Sequence, residues 1–210
     1  LNGNWGGYHR AYVYEDYKFR DIAVHSFDEP SRIRTVISAD FDNDGYDEVF
    51  LNNIGEPNRL YKILENGVFQ EIKLDKALEP EGLGTGAAVA DIDNDGILEL
   101  LISHGESGLQ PLSLFKYNNE EKRSYLRIRP LNMHGAPARG ATVTLITNER
   151  KHSKTIDAGS GYLCQMEPVA HYGIRENETE FKFKVKWTNG DEDLYDVQNL
   201  NETIIVRQSI

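Results

Sequence analysis

Two nine-residue stretches constrain this chain more than any other feature. They are Asp40-Phe41-Asp42-Asn43-Asp44-Gly45-Tyr46-Asp47-Glu48 and Asp91-Ile92-Asp93-Asn94-Asp95-Gly96-Ile97-Leu98-Glu99. Each sets carboxylates at positions 1, 3, 5 and 9 and glycine at position 6. A hard cation such as Ca²⁺ takes six to eight oxygens at about 2.3–2.6 Å, and alternate residues of a tight loop can supply them. Gly45 and Gly96 allow the positive φ of such a turn. The spacing therefore predicts two Ca²⁺ sites. Their ligands are Asp40, Asp42, Asp44 and Glu48 with the Tyr46 carbonyl, and Asp91, Asp93, Asp95 and Glu99 with the Ile97 carbonyl.

An EF-hand would need a bidentate Glu at position 12 and flanking helices. Position 12 is Leu51 in one copy and Ile102 in the other. The flanks, Arg34–Ala39, Glu48–Asn53, Gly86–Ala90 and Leu98–Ser103, are short apolar runs that read as strands. The unit is thus strand, calcium loop, strand. The competing reading is a pair of Asx-rich turns without metal. Two copies with one ligand spacing weigh against it, and so does the repulsion of four crowded carboxylates.

The repeat extends beyond the loops. Asn58-Arg59-Leu60-Tyr61 through Ile72 echoes His9-Arg10-Ala11-Tyr12 through Ile22, and Leu51-Asn52-Asn53 echoes Leu1-Asn2-Gly3. Pro111–Tyr117 is a weaker third version. Each period of about fifty residues holds about four strands, as in a propeller blade. The chain opens in mid-blade, then holds a full blade (roughly 30–78) and one without an obvious fourth strand (roughly 84–118). A ring needs about four to eight blades, so the expectation is a piece of a longer propeller, with oligomerisation as the other way to close it. Leu1 in place of Met fits a fragment or a mature form.

Asn118-Asn119-Glu120-Glu121-Lys122 reads as a linker. It divides the chain into 1–118 and a second β-rich unit, 119–210. Strands are predicted at Tyr125–Pro130, Ala141–Thr147, Ser153–Asp157, Phe181–Thr188, Leu194–Val197 and Thr203–Arg207, and no long helix. Thr188-Asn189-Gly190-Asp191 is a hairpin turn signal. Lys182, Lys184 and Lys186 alternate with Phe181, Phe183, Val185 and Trp187, a half-buried strand with a solvated lysine face rather than a polyanion site.

Composition limits the function classes. The 210 residues carry a formal net charge of −11, which argues against general nucleic-acid binding. No run of 18 or more apolar residues suggests a membrane span, and no signal peptide is read at the amino end. Cys164 is the one cysteine, so no internal disulfide framework forms. Calcium can staple a secreted chain instead, and millimolar extracellular calcium suits such loops.

These residues resemble known families. Ala39–Gly45 followed by Asn58-Arg59-Leu60-Tyr61 is similar to the FG-GAP/VCBS repeat of integrin-like calcium-binding propellers. Ala138-Arg139-Gly140-Ala141, Gly159–Leu163, Cys164–His171 and Tyr172-Gly173 resemble the ASPIC/UnbV domain. Their order, with Ala77–Gly82 and Ser103–Ser107 between them, resembles the cartilage acidic protein family. The resemblance implies an all-β protein, a partial β-propeller followed by a small ASPIC/UnbV module. It also implies secretion, Ca²⁺ binding by the carboxylates named above, and an extracellular-matrix or adhesion role without catalysis. A protein or glycan partner and the further blades of the same protein would be its contacts. Vertebrate members of that family continue into a cysteine-rich EGF-like tail beyond the point that corresponds to Ile210.

Other features carry less. Cys164 with His171 is read as a buried thiol rather than a nucleophile. Gly105-Glu106-Ser107-Gly108-Leu109 falls short of a nucleophile elbow. Gly82-Leu83-Gly84-Thr85-Gly86 leads into a strand, so it packs blade on blade rather than cradling phosphate. His104 is read as a loop histidine bonded to backbone, and Tyr162 as an inward-packing turn residue. Asn177 and Asn201 head glycosylation sequons. The alternative to a binding module is a glycan-active hydrolase built on the propeller. It would need two facing acids, and Glu79, Glu81, Glu106 and Glu167 show no pairing in their spacing.

Overall fold

A computed structural model describes residues 1–23, 25–64, 67–105, 108–118, 121–157, 159 and 161–209. Strands dominate it, joined by one helical turn, α1 (His25–Asp28), and a 3-10 turn at Lys76–Leu78.

The repeat read from the sequence is a repeat of sheets. β1 (Tyr12–Glu15) and β2 (Lys18–Asp21) form a hairpin. β3 (Ile33–Ala39), β4 (Glu48–Asn53), β5 (Arg59–Ile63) and β6 (Phe69–Ile72) form an antiparallel four-stranded sheet in sequence order. β7 (Gly84–Ala90), β8 (Glu99–His104) and β9 (Ser113–Lys116) repeat its first three strands. No counterpart of β6 follows β9 among the described residues. Each Asp-rich loop joins the first two strands of its sheet, as expected. Even the irregularities recur, with a register shift at Ile33/Thr35 and another at Gly84/Gly86.

Apolar faces seal the sheets to each other. Phe50 and Leu60 pack with Leu100, Ile102 and Val89 of the next repeat, and Tyr61 and Phe69 pack with Phe27 and Ala11 of the one before. Gly84 lies against Asn52 and Asn53, where a Cβ would collide. Gly82–Gly84 is therefore blade-to-blade packing, as its lead into a strand suggested, whereas Gly86 lies against Cys164 and Tyr162 of the second unit.

The second unit pairs two sheets over one core. β10 (Tyr125–Leu131) lies between β13 (Ala170–Gly173) and, in parallel, β16 (Glu202–Arg207). β11 (Thr142–Ile146) lies between β12 (Lys151–Thr155) and β14 (Lys182–Lys186), which pairs with β15 (Glu192–Asp196). Leu126, Ile128, Val143, Leu145, Phe183, Val185 and Trp187 fill the interior. The alternation read in β14 holds, and two of its lysines are paired. Lys182 meets Asp196 at 3.3 Å and Lys184 meets Glu192 at 2.9 Å. That pairing explains why β15 starts at Glu192, ahead of the apolar residues that marked it in the sequence.

Three local expectations are corrected. The strand expected at Ser153–Asp157 begins at Lys151, where its partner β11 dictates register. Tyr162 does not pack inward. It is exposed, 5.5 Å from the Arg34 guanidinium, because Gly161 takes the space against Thr35 and Ala87. Cys164 is half-buried rather than buried. In the linker, Asn119 and Glu120 lie outside the described residues, as do Glu106 and Ser107 of the rejected elbow.

Candidate metal centres at the blade–module junction

In the first loop the Asp40 carboxylate closes the turn on itself. Its Oδ1 accepts from Asp44 N–H at 3.1 Å, and its Oδ2 from Gly45 N–H at 2.9 Å. Asp42 accepts from Asp44 N–H at 3.0 Å, Asp44 from Tyr46 N–H at 2.9 Å, and Glu48 from Phe41 N–H at 3.0 Å. The second loop repeats the scheme. Asp91 accepts from Asp95 and Gly96 N–H at 3.0 Å, Asp95 from Ile97 at 2.9 Å, and Glu99 from Ile92 at 2.7 Å. Asn43 and Asn94, at position 4, both take positive φ, as do Gly45 and Gly96.

This closure brings Asp40, Asp42 and Glu48 together, and Asp91, Asp93 and Glu99 likewise, with a carboxylate oxygen from each within 4.8 Å of the others. Asp44 and Asp95 turn instead to lysines. Lys62 contacts Asp44 and lies 3.5 Å from Asp42. Lys116 lies 2.8 Å from Asp95, 2.7 Å from Asp93 and 2.6 Å from Glu99.

The electrostatics are those of a cluster short of positive charge. Burial, then Asp42 and Asp40, push the Glu48 carboxyl up to about 9. Burial and the neighbouring acids push Asp40 up to about 7. Glu48 Oε1 is buried without a hydrogen-bond donor among the described residues, and the Lys62 ammonium is 4.0 Å away. A buried, unbonded carboxylate oxygen facing other carboxylates is costly unless a cation joins it. The all-oxygen donor set suits Ca²⁺ or Mg²⁺ rather than a soft metal.

Several groups around these loops come from distant positions that no local pattern links to them. Arg127, itself buried, reaches Asp91 at 2.9 Å and pairs with Glu167. Arg123 lies 3.0 Å from Asp42. Gly173 N–H donates to Asp40 Oδ2 at 3.0 Å. Arg150 donates to the Gly45 carbonyl, and the Arg175 guanidinium lies 3.6 Å over the Tyr46 ring. The second unit is thus docked on the loops of the first.

The remaining candidates are dispersed. Glu79 contacts Ser113 and lies 3.5 Å from His104. His104 ends β8 and bonds the Ser113 hydroxyl at 3.1 Å, so its partners are side chains rather than the backbone expected. Glu81 is exposed, and Glu167 is held by Arg127. Glu106 lies outside the described residues. Asn177 and Asn201 are both exposed, and Asn201 Oδ1 accepts from Tyr125 N–H at 3.0 Å.

Comparison with known proteins agrees with this organisation. Residues 40–102 match an FG-GAP-like repeat, and residues 132–210 match the family described as ASPIC and UnbV. Over 201 residues, 90% of this chain, the sequence is 48% identical to cartilage acidic protein 1 of Mus musculus, 47% to that of Homo sapiens and 46% to that of Xenopus tropicalis. Those matches cover 31%, 30% and 31% of the respective relatives, so the chain spans under a third of their length.

Proposed function

This chain is a relative of the cartilage acidic proteins, and on that premise we propose that it is a secreted, calcium-stapled interaction module of the extracellular matrix, without catalytic activity. The observation that carries the reading is the doubled carboxylate cluster, with the buried Glu48 Oε1 left without a hydrogen bond. Asp40, Asp42, Asp44 and Glu48 would hold one ion, and Asp91, Asp93, Asp95 and Glu99 the other, with the Tyr46 and Ile97 carbonyls completing each set. The ion supplies charge neutralisation where acids crowd and ties two strands at one corner. Two divalent ions would offset four of the eleven formal negative charges.

We divide the chain into propeller blades (1–118) and the carboxy-terminal module (119–210). The blades offer two apolar faces to further repeats. Tyr12 and Phe19 stand where Tyr61 and Phe69 stand one repeat later, yet they are 48% and 74% exposed against 0% and 3%. Leu101 and Leu114 correspond to Phe50 and Leu60, and are 38% and 55% exposed against 0% and 7%. Such faces suit the blade-to-blade joint seen inside the chain. The rigid assembly would then present a surface to a protein or glycan partner. The glycan-active hydrolase reading gains no support among the described residues, because Glu79 and Glu167 are each engaged by separate partners.

The test is a thermal melt with calcium and with chelator. A site held at 100 times its Kd contributes about 2.7 kcal/mol. Calcium should raise the melting temperature, and Asp93→Ala should remove part of the rise. Identical melts in calcium and chelator would defeat the reading.

A further inference from the structure

We propose that the carboxy-terminal module completes the first calcium loop, with Gly173, His171 and Arg150 as positioning residues that couple both loops to the module. The proposal rests on the calcium reading above and extends it to residues outside the Asp-rich stretches.

The contacts converge on positions 1, 4 and 6 of the loop. At position 1, Asp40 Oδ2 receives the Gly173 and Gly45 N–H groups at 3.0 and 2.9 Å, so the module fixes the orientation of a ligand carboxylate. A Cβ on Gly173 would run into that carboxylate and the Asn43 backbone, so the approach depends on glycine. At position 6, Arg150 clasps both sides of the junction, donating to the Gly45 carbonyl and, at 2.8 Å, to the Gly173 carbonyl.

Position 4 is the hub. Asn43 Nδ2 donates to the Gly96 carbonyl of the second loop at 2.8 Å, while its Oδ1 accepts from His171 Nε2 at 2.7 Å. The carbonyl partner requires the amide nitrogen to face Gly96, which leaves the oxygen for His171 and makes Nε2 the donor. Asn43 holds φ at 57°, a conformation most side chains avoid. The amide is buried, so both bonds are shielded from water and neither is readily exchanged for it. Tyr125 closes the circuit, its ring lying against Gly96 and stacked on His171 at 6.1 Å. A loop shape that ligates calcium is therefore also the shape the module grips. By linkage, calcium must tighten the grip as much as the grip tightens calcium.

The experiment uses the full chain. Hydrogen exchange is measured over 40–48 and 170–175 with calcium and with chelator, and calcium affinity is measured calorimetrically for the unaltered chain, His171→Ala, His171→Gln and Gly173→Val. Calcium should slow exchange in both segments. His171→Ala and Gly173→Val should weaken the first site by about tenfold, within the usual range of such couplings. His171→Gln, which keeps a donor for Asn43, should stay within about threefold of the unaltered chain. Heat of binding with equal affinity in all four proteins, or calcium protection confined to 40–48, would overturn the coupling and leave the calcium reading standing. No heat in the unaltered chain would overturn both. The exchange measurement on the unaltered chain decides the matter even if a variant fails to fold.

Discussion

Lys62 and Lys116 occupy the same place in successive repeats. Lys62 of β5 pairs across the sheet with Glu48, and Lys116 of β9 pairs with Glu99. Each sends its ammonium among the carboxylates of its own loop. Burial disfavours the charge on Lys116, but Asp93, Asp95 and Glu99 outweigh it and raise its pKa. A fixed cation repels an arriving divalent ion and competes for the same oxygens. Lys62→Met and Lys116→Met should each strengthen calcium binding at their own loop, by about tenfold or more. Calorimetry on the two variants reads this directly, and weaker binding would show that the lysines support the ion instead.

Arg127 is a fully buried charge at the junction. Its guanidinium is held between Asp91 and Glu167. Removing one partner of a buried pair leaves the other uncompensated, which costs about 3–5 kcal/mol. Arg127→Met should lower unfolding stability in chelator by about that amount. Calcium should recover part of it by taking over the charge of Asp91. Denaturant unfolding in both conditions measures the two effects.

Gly96 allows both a turn and a contact. Its φ is +84°, and a Cβ would collide with the Tyr125 ring. Gly96→Ala should therefore damage the second loop and the module contact together. The expected result is loss of one calcium equivalent with faster exchange near Tyr125. Gly67, also at positive φ but with open space around it, is the control: Gly67→Ala should cost only the backbone strain, about 1 kcal/mol.

His152 gives the module an acid limit. Burial, and then Lys154, depress its pKa from 6.5 to about 4, while its ring packs edge-on to Tyr172 at 5.4 Å. Below pH 6.5 the unfolded chain takes up a proton that folded His152 refuses. Its contribution is thus fully present above pH 6.5 and is lost as pH falls toward 4. His152→Phe keeps an aromatic contact without the titration. It should flatten the fall in stability between pH 6.5 and 4, and an unchanged slope would refute the assignment.

The loops were legible in the sequence because chemistry and spacing coincide there. Carboxylates at alternate positions, glycine at position 6 and apolar strands on either side admit few other readings. The alternation of Phe183, Val185 and Trp187 was legible for the same reason, a strict period of two. What surrounds the loops was not. The connections between Glu48 and Lys62 and between Glu99 and Lys116 differ in length, so only the sheet register reveals that the lysines are equivalent. Asn43 sits at position 4 of its loop, and nothing local marks it as the bridge between Gly96 and His171. Tyr162 turns outward because the inward position belongs to its neighbour Gly161. The acidic strand Glu192–Asp196 was underestimated because its stabilising partners, the lysines of β14, lie on another strand.

The most direct test of the account is a calorimetric calcium titration of the unaltered chain, beside Asp42→Ala and Asp93→Ala. Two equivalents are expected for the unaltered chain and one for each variant. Two equivalents retained in both variants would place the ions elsewhere, and the absence of heat would mean that the two Asp-rich loops are turns without a metal.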